Sequence, residues 1–389
     1  MTMKRPTWAA VSRSRLLHNH GVLRRLAGQE TELLCVVKAN AYGHGLDGCA
    51  QALAGNGVQW FGVSCVAEGV ALRQVLPKAR ILAMSGVWGS EAEAVLEHDL
   101  TPVVWDPMHF AILEKAAARL RAAPGDCPVH LEIDTGMSRQ GVQPERLAPL
   151  LERFGPGSPL RLEAAMTHFH SPADAEPTTV QVREFVTAVD AIAEAGLRPS
   201  ILSAGSSAFA LDPDARLVDL ARRIGARPMM RAGIALYGYA PSLEGAAATG
   251  PELKPVLAWK TRVVSLREIP AGATVGYDAT FTARRPTRLA LLPVGYADGL
   301  NRLLSGDKPK AGQVLVRGQR APIAGRISMD HTSVDVTGVA GVEVGDEVAL
   351  IGAQGDDKLT AADMAQLTGT ISYEVLCAIA ARVPRVMAD

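Results

Sequence analysis

Residues 101–134 read TPVVWDPMHFAILEKAAARLRAAPGDCPVHLEID, and this stretch contains the pattern that decides the fold. It begins with a short apolar, β-branched run at 101–105 and ends with a second such run at 128–134. Between them, residues 108–123 are rich in Ala and Leu and follow the helical period. A strand, a helix and a second strand in this order are typical of a βαβ unit with parallel strands.

The same alternation continues through the first two-thirds of the chain. Further apolar runs lie at 33–37, 60–65, 80–85, 161–168, 200–204 and 229–234, and a second long helical stretch lies at 179–195. Eight strand–helix units within about 240 residues are typical of a closed (β/α)8 TIM-like barrel, which has roughly 250 residues. An open doubly wound sheet is the alternative, but no GxGxxG motif follows the first predicted strand.

The pattern of apolar and polar residues changes after a segment rich in Ala, Pro and Gly at about 240–255, which we interpret as a linker. Beyond it, runs that alternate at period two are separated by Gly-containing turns and predict strands at 257–269, 287–300, 313–318, 321–337 and 342–352. One helix is predicted at 359–367, with Thr360 as its N-cap. The sequence therefore predicts a barrel domain at 1–240 and a mainly β domain at 241–389.

Composition excludes several classes of function. The chain has 389 residues, with 40 Lys and Arg against 40 Asp and Glu, so it lacks the basic excess of a nucleic-acid-binding protein. No stretch approaches the roughly 20 apolar residues of a membrane span, and the first residues have no signal-peptide core. The five scattered cysteines form no CxxC pair, and the histidines have no metal-ligand spacing. These features predict a cytoplasmic protein without a metal, a membrane partner or a nucleic-acid partner.

Candidate chemical groups follow the predicted barrel strands. Lys38 comes directly after the first strand, and partial burial there would make its amine easier to deprotonate, as a Schiff-base lysine requires. A lysine that simply extends into solvent is the alternative. Ser and Gly residues at 203–207, together with Arg231 and Gly233, suit a phosphate group, although Ser and Gly are also common turn residues. A reactive lysine and a phosphate site on one face suggest pyridoxal 5'-phosphate.

Seven motifs give the sequence a more specific resemblance. They are VVKANAYGHG (36–45), DTGMSRQG (134–141), RAGIALYG (231–238), VGYDATF (275–281), LLPVGYADG (291–299), GRISMD (325–330) and SYEVL (372–376). In this order and spacing, from Trp8 to Val386, the chain resembles the bacterial alanine racemases, which are pyridoxal-phosphate isomerases with a barrel and a β domain. The resemblance implies interconversion of L-alanine and D-alanine, the latter being used in peptidoglycan synthesis or consumed in catabolism.

The resemblance assigns the reacting groups. Lys38 matches the lysine that binds the cofactor as a Schiff base and acts as base on one face of the substrate Cα, and Tyr277 matches the tyrosine on the opposite face. Inversion of a stereocentre requires removal of a proton on one side and its return on the other. Arg231 matches the arginine at the pyridine nitrogen, and because a guanidinium only donates, that nitrogen must stay a neutral acceptor.

The resemblance also assigns binding residues. Arg139, Met329 and Asp330 match the binding site for the substrate carboxylate, where the arginine fork suits a carboxylate. Tyr42, Ser207, Gly233, Ile234 and Tyr373 match phosphate contacts, His168 matches the residue packed on the pyridine ring, and Tyr296, Arg302 and Arg326 resemble the access channel. In the family Tyr277 and Met329 come from the partner subunit, so the resemblance implies a homodimer with shared active sites.

Two positions depart from the family pattern. Glu132 stands seven residues before Arg139, where members often have a lysine modified to a carbamate. A glutamate carboxylate could provide similar acceptors and orient Arg139, or it could be an ordinary glutamate at a strand end. Ser203 stands where many members have a histidine that supports the pyridine-binding arginine, and its shorter hydroxyl can still bond to Arg231.

Two other functions are compatible with a barrel that holds this cofactor. One is a decarboxylase of basic amino acids, and the other is a cofactor carrier without catalytic activity. The decarboxylase would not need the VGYDATF tyrosine, and the carrier would not need a second domain of about 140 residues. Tyr277 and the predicted β domain that contains it therefore favour the racemase.

Overall fold

A computed structural model describes residues 5–171, 174–211, 215–240, 253–306 and 311–389. The chain divides into two compact units. The barrel unit comprises Leu16–Ala41 and Leu46–Lys254, and the β unit comprises Met1–Arg15, Tyr42–Gly45 and Pro255–Asp389.

Within the described part of the barrel unit, eight parallel strands close into a barrel. In chain order they are Glu32–Val36, Trp60–Val63, Arg80–Ala83, Thr101–Val104, Cys127–Glu132, Leu160–Met166, Ile201–Ser203 and Arg227–Ala232. The last strand pairs in parallel with the first, with Leu34 opposite Arg231. The closed barrel predicted from the sequence is confirmed, and the open sheet is wrong.

Helices connect the barrel strands. They are Arg13–Ala27, Leu46–Gly55, Val66–Val75, Glu91–Glu97, Pro107–Leu120, Ala148–Leu151, Ala175–Glu194, Ser207–Leu211 and Ala215–Ile224, with 3₁₀ turns at Pro144–Arg146, Glu152–Phe154 and Ile234–Tyr237. In the Pro107–Leu120 helix, the Asp106 side chain accepts a hydrogen bond from the Met108 backbone N–H, which caps the first turn. This helix ends earlier than predicted because Arg121 adopts a left-handed conformation with φ of 55°.

The β unit is mainly β, as predicted. Among its described residues, the larger sheet has the order Gln319–Pro322, Gln313–Val316, Glu347–Gln354, Leu257–Arg262, Thr7–Ser12 and Arg385–Ala388, and Asp357–Leu359 pairs with Glu347–Gln354. Ser265–Ile269, Thr287–Leu292 and Thr332–Asp335 form a second sheet, and Thr274–Val275 pairs with Phe281–Thr282. Its helices are Ala361–Thr368 and Ser372–Cys377, and its 3₁₀ turns are Tyr277–Ala279, Tyr296–Asp298 and Arg302–Leu304.

The predicted N-cap at Thr360 is confirmed. Its side chain accepts a hydrogen bond from the Asp363 backbone N–H at 3.1 Å, and the Asp363 carboxylate accepts one from the Thr360 N–H at 2.7 Å. This reciprocal capping box satisfies backbone donors at the start of Ala361–Thr368.

The first strand is where the chain departs most from the predicted division at residue 240. Thr7–Ser12 pairs with Leu257–Arg262 in the β unit, although we assigned residues 1–240 to the barrel. The buried hydroxyls of Thr7 and Thr261 lie 2.8 Å apart in this pairing. A partner more than two hundred residues away leaves no local pattern in the sequence.

Two strands predicted in the β domain, at 321–337 and 342–352, are shorter in the structure. Residues 323–331 form a loop instead of the middle of one long strand, and residues 342–346 precede the strand Glu347–Gln354. Most of the predicted linker, residues 241–252, lies outside the described residues. No helix within the described ranges is both long and apolar enough to cross a membrane.

Burial predicts that replacing either of two tryptophans by alanine lowers the free energy of unfolding by very different amounts. Trp259 is 1% exposed at the centre of the larger sheet, whereas Trp88 is 59% exposed. Because an emptied buried site loses both transfer energy and packing, W259A should lower the free energy of unfolding by about 3–5 kcal/mol. W88A, the matched control, should lower it by less than about 1 kcal/mol. Urea unfolding followed by circular dichroism measures both, and equal losses would contradict this core.

Candidate active site

The barrel brings its candidate residues to one rim. Lys38, Glu132, Ser203 and Arg231 lie at or near the carboxyl ends of four barrel strands. Because parallel strands of a closed barrel end at the same rim, these side chains share one mouth. The geometry of each group then determines what the mouth can bind.

An unusual turn follows Lys38. Residues Ala39, Asn40, Ala41 and Tyr42 all have positive φ values between 51° and 55°. This left-handed conformation is costly for residues with a Cβ and persists only where neighbours hold it. Glu68 provides part of that support, because its carboxylate accepts hydrogen bonds from Ala39 N–H at 2.8 Å and from Ser64 N–H at 2.7 Å. The backbone beside Lys38 is thereby fixed.

Arg231 is a buried guanidinium that joins three neighbouring strand ends. It donates to the Ser203 hydroxyl at 2.8 Å, to the Thr167 carbonyl oxygen at 2.7 Å and to His168 Nδ1 at 2.9 Å. Burial lowers the pKa of Arg231 to about 10, while the nearby Glu132 carboxylate opposes this shift. The guanidinium therefore remains charged at neutral pH. The contact with Ser203 was expected from the sequence, and the structure places it there.

His168 is a neutral acceptor. Because Arg231 can only donate, Nδ1 of His168 must be unprotonated. Burial, together with the positive charges of Arg231, Arg139 and Lys38, lowers the pKa of His168 to about 3. Gln181 supports the same segment by donating to the His168 carbonyl oxygen at 3.2 Å. The ring thus adds no positive charge to the rim.

Glu132 is buried beside these cations. Burial raises the pKa of its carboxyl, and the charges of Arg231 and Arg139 and a hydrogen bond from Gln140 oppose that rise. The Gln140 amide donates both to Glu132 Oε2 and to the Met84 carbonyl oxygen. Arg139, which Glu132 was expected to orient, has an exposed side chain. The direct contact of Glu132 is therefore with the residue next to Arg139.

Backbone N–H groups converge beside Arg231. The buried Ser207 hydroxyl accepts hydrogen bonds from Gly233 N–H at 2.8 Å and from Ala235 N–H at 3.2 Å, next to Ile234. Gly205 makes the approach possible, because it has φ of 77° and a Cβ there would lie 2.3 Å from the Phe209 side chain. Because the Ser207 hydroxyl accepts from both N–H groups, its own proton can be donated to an anion.

The other candidate residues belong to the β unit, where the loop at 325–330 connects them. Tyr277 lies on the turn between Thr274–Val275 and Phe281–Thr282, and its neighbour Asp278 forms an ion pair with Arg326 at 2.7 Å. Tyr296 N–H donates to the Ser328 carbonyl oxygen at 3.1 Å. Tyr277 is 68% exposed and Met329 is 53% exposed.

Arg302 and Asp330 are the other two candidate residues that adjoin the 325–330 loop. The turn that contains Arg302 is joined to the 325–330 loop through Ser305, whose hydroxyl donates to the Arg302 carbonyl oxygen and accepts from Ile327 N–H. Asp330 lies at the end of the same loop. We call Tyr277, Tyr296, Arg302, Arg326, Met329 and Asp330 the tyrosine face.

Tyr42 and Tyr373 form a separate pair in the β unit. Their ring centroids are 6.1 Å apart. Burial raises the pKa of Tyr42, and it raises the pKa of Tyr373 to about 12. Both phenols are therefore protonated at neutral pH and can donate hydrogen bonds to an anion.

Sequence reasoning missed several supporting residues. Gln140, Glu68 and Gln181 hold Glu132, the Lys38 turn and the His168 segment, respectively. Gln140 lies within the DTGMSRQG motif, next to Arg139, so its position gave a signal that could have been used. Glu68 and Gln181 lie on helices, where polar residues usually face solvent, and nothing in the local sequence distinguishes them.

Comparisons with known proteins agree along nearly the whole chain. The family model for the alanine racemase N-terminal domain matches residues 11–241, and that for the C-terminal domain matches residues 256–387. An alanine racemase of Symbiobacterium thermophilum is 39% identical over 386 residues, covering 98% of this chain and 97% of its own length. One of Halothermothrix orenii is 38% identical over 383 residues, covering 98% and 96%.

A solved structure is similar as well. The crystal structure of alanine racemase from the D-cycloserine-producing Streptomyces lavendulae matches with a TM-score of 0.88 at 29% sequence identity. The match covers 100% of this chain and 98% of that chain.

The neutral state of His168 predicts a pH dependence of stability. Its folded pKa of about 3 lies below the unfolded value of 6.5, so the stabilisation is present above pH 6.5 and is lost as the pH falls towards 3. From pH 7.5 to pH 5, this histidine should cost up to about 2 kcal/mol in the free energy of unfolding. In H168N, the matched control, that part of the loss should disappear. Identical losses in urea unfolding of the cofactor-free proteins would contradict a neutral His168.

Proposed function

This chain belongs to the alanine racemase family, and we propose that it interconverts L-alanine and D-alanine with pyridoxal 5'-phosphate bound at the barrel rim. Racemisation of alanine is the reaction of the family, and the chain is an isomerase. The observation that carries the proposal is that Lys38, Arg231 and Ser207, which is bonded to Gly233, lie at one rim.

The residues of the rim fit this cofactor. Lys38 offers an amine, and Arg231 offers a donor for a ring nitrogen. The Ser207 hydroxyl, which accepts from Gly233 N–H next to Ile234, offers its own proton to a phosphate. When bound, the cofactor withdraws electrons from the amino acid and so makes the Cα proton acidic. The phenols of Tyr42 and Tyr373 are assigned to the same phosphate.

Arg231 limits how strongly electrons are withdrawn. A charged guanidinium donates to the pyridine nitrogen and cannot accept a proton, so that nitrogen remains neutral. A neutral ring is a weaker electron sink than a protonated one. We therefore expect the proton to return to Cα quickly, which favours racemisation over transamination. His168 packs against the ring in this assignment.

Lys38 and Tyr277 act as the two bases. One removes the proton from one face of Cα, and the other returns a proton to the opposite face. Arg139 and Met329, with Asp330 beside it, are assigned to the substrate carboxylate. The exposed arginine fork of Arg139 suits this role, because it can donate two parallel hydrogen bonds.

The active enzyme is proposed to be a homodimer. The tyrosine face exposes Tyr277, Tyr296 and Met329 together, and an exposed apolar set of this kind is typical of an interface. In the proposed dimer this face meets the barrel rim of the partner subunit, with Tyr296, Arg302 and Arg326 along the access channel. The proposed location is the cytoplasm, where D-alanine would supply wall synthesis.

Substitution of the two bases tests the proposed reaction. K38A should abolish covalent binding of the cofactor, measured by borohydride trapping, and should abolish the loss of optical rotation of L-alanine. Y277F should retain the trapped cofactor and lose about 10²–10⁴-fold in racemisation rate, the usual contribution of a positioned acid or base. K115A, which removes an exposed lysine of Pro107–Leu120, is the control. Normal racemisation by both site variants would refute the two-base assignment.

The charge of Glu132 predicts a second effect. E132Q preserves the side-chain shape but removes the negative charge beside Arg231 and Arg139. Because the arginines then repel each other more strongly, the KM for alanine should rise about tenfold while the melting temperature changes little. The control is E93Q, at an exposed glutamate paired with Arg119. Unchanged kinetics in E132Q would show that Glu132 does not support substrate binding.

A further inference from the structure

A buried carboxylate lies directly behind the tyrosine face. Asp298 is 0% exposed and accepts hydrogen bonds from Arg5 at 2.5 and 2.9 Å, from Arg382 Nε at 2.8 Å and from Gly295 N–H at 3.0 Å. The arginine contacts and the Gly295 N–H outweigh desolvation and keep the pKa of Asp298 below its usual value. Asp298 is therefore ionised, and it joins segments from both ends of the chain.

Arg382 extends this network to the tyrosine face. Its Nε donates to Asp298, and its Nη2 donates to Asp330 Oδ1 at 2.6 Å. Asp330 follows Met329, which is assigned to the substrate carboxylate. One guanidinium thus connects a buried anion with an anion at the proposed binding site.

The backbone couples the same two segments. Ala297 N–H donates to the Met329 carbonyl oxygen at 3.0 Å, on the turn that ends at Asp298. Gly295, at the start of that turn, lies so close that a Cβ would be 2.4 Å from the Met329 carbonyl oxygen. The position of Met329 is therefore set by the turn that Asp298 holds.

The charges have a consequence for an anionic substrate. An uncompensated Asp330 beside Met329 would repel the carboxylate of alanine, because like charges at short distance repel each other; the Asp330 side chain is 47% exposed, so water and salt screen part of this repulsion. Arg5 and Arg382 carry two positive charges, which balance the two negative charges of Asp298 and Asp330. The network is neutral as a whole.

We propose that Arg382 and Asp298 are positioning residues for substrate binding: Asp298 anchors Arg382, and Arg382 neutralises Asp330 and holds it beside Met329. This inference rests on the proposed function, which assigns Met329 to the substrate carboxylate. Neither Arg382 nor Asp298 touches the reacting atoms in this assignment, so their effect should appear in KM and not in kcat.

The test is a charge series measured as KM for L-alanine with the cofactor-loaded enzyme. R382A leaves the network with one excess negative charge and should raise KM about tenfold, with kcat within about twofold of wild type. R382A combined with D330N is neutral again, and its KM should lie within about twofold of the KM of D330N alone. D330N alone removes one negative charge of the network and is the reference with which the double variant is compared. High salt should reduce the R382A effect, because it screens the repulsion.

Two further variants separate charge from folding. R382K keeps the positive charge and should keep KM within about threefold of wild type, even if its melting temperature falls. R320A breaks another arginine–aspartate pair of the β unit, in which Arg320 bonds to Asp357 at 2.6 and 2.8 Å, and should leave KM unchanged.

Two results would overturn the inference. One is a KM for R382A within twofold of wild type, and the other is an R382A substitution that raises KM over D330N as much as it does over wild type. The proposed function is tested separately by the wild-type enzyme in the same assay. If the wild-type enzyme does not racemise alanine, the proposed function fails. If the wild-type enzyme is active but KM does not change among the variants, only the positioning role is refuted.

Discussion

The rest of the barrel rim depends on the hydrogen bonds that the buried guanidinium of Arg231 donates. A charge in this position is tolerated because Ser203, Thr167 and His168 each accept a hydrogen bond from it. These acceptors come from neighbouring strand ends, so satisfying one cation also fixes the geometry of the rim. It further explains why His168 stays neutral, because a protonated ring could not accept from Arg231.

Local charge and overall charge differ sharply in this protein. The chain has no formal net charge, yet Lys38, Arg139 and Arg231 lie around one rim with Glu132 as the buried counter-charge among them. That excess suits a phosphorylated cofactor and a carboxylate substrate, both of which bring negative charge. The β unit uses the opposite arrangement, in which Arg5 and Arg382 neutralise Asp298 and Asp330. The barrel rim therefore attracts an anion through excess positive charge, whereas the β unit avoids repelling one because its two carboxylates are neutralised.

Much of the fold and the rim was predictable from the sequence, because it depends on local pattern. The barrel strands follow from apolar runs at regular spacing, whereas Lys38 and Arg231 stand out at strand ends but receive their roles from the resemblance to the alanine racemases. What escaped prediction depends on pairing between distant segments. Thr7–Ser12 joins the β unit through a strand far along the chain, and Asp298 bonds to Arg5 and Arg382, which lie 293 and 84 residues away in the sequence. The left-handed turn after Lys38 also escaped, because Ala39 and Ala41 ordinarily favour right-handed helix.

Complementation between two inactive variants tests the central claim most directly. If Lys38 of one subunit works with Tyr277 of its partner, a mixed dimer of K38A and Y277F contains one site with both native bases. Random reassembly gives mixed dimers in about half of the population, so the mixture should recover about one quarter of wild-type racemisation. Recovery near that value, from variants that are each inactive alone, is the expected result. A mixture that forms mixed dimers and remains inactive would contradict the shared two-base site.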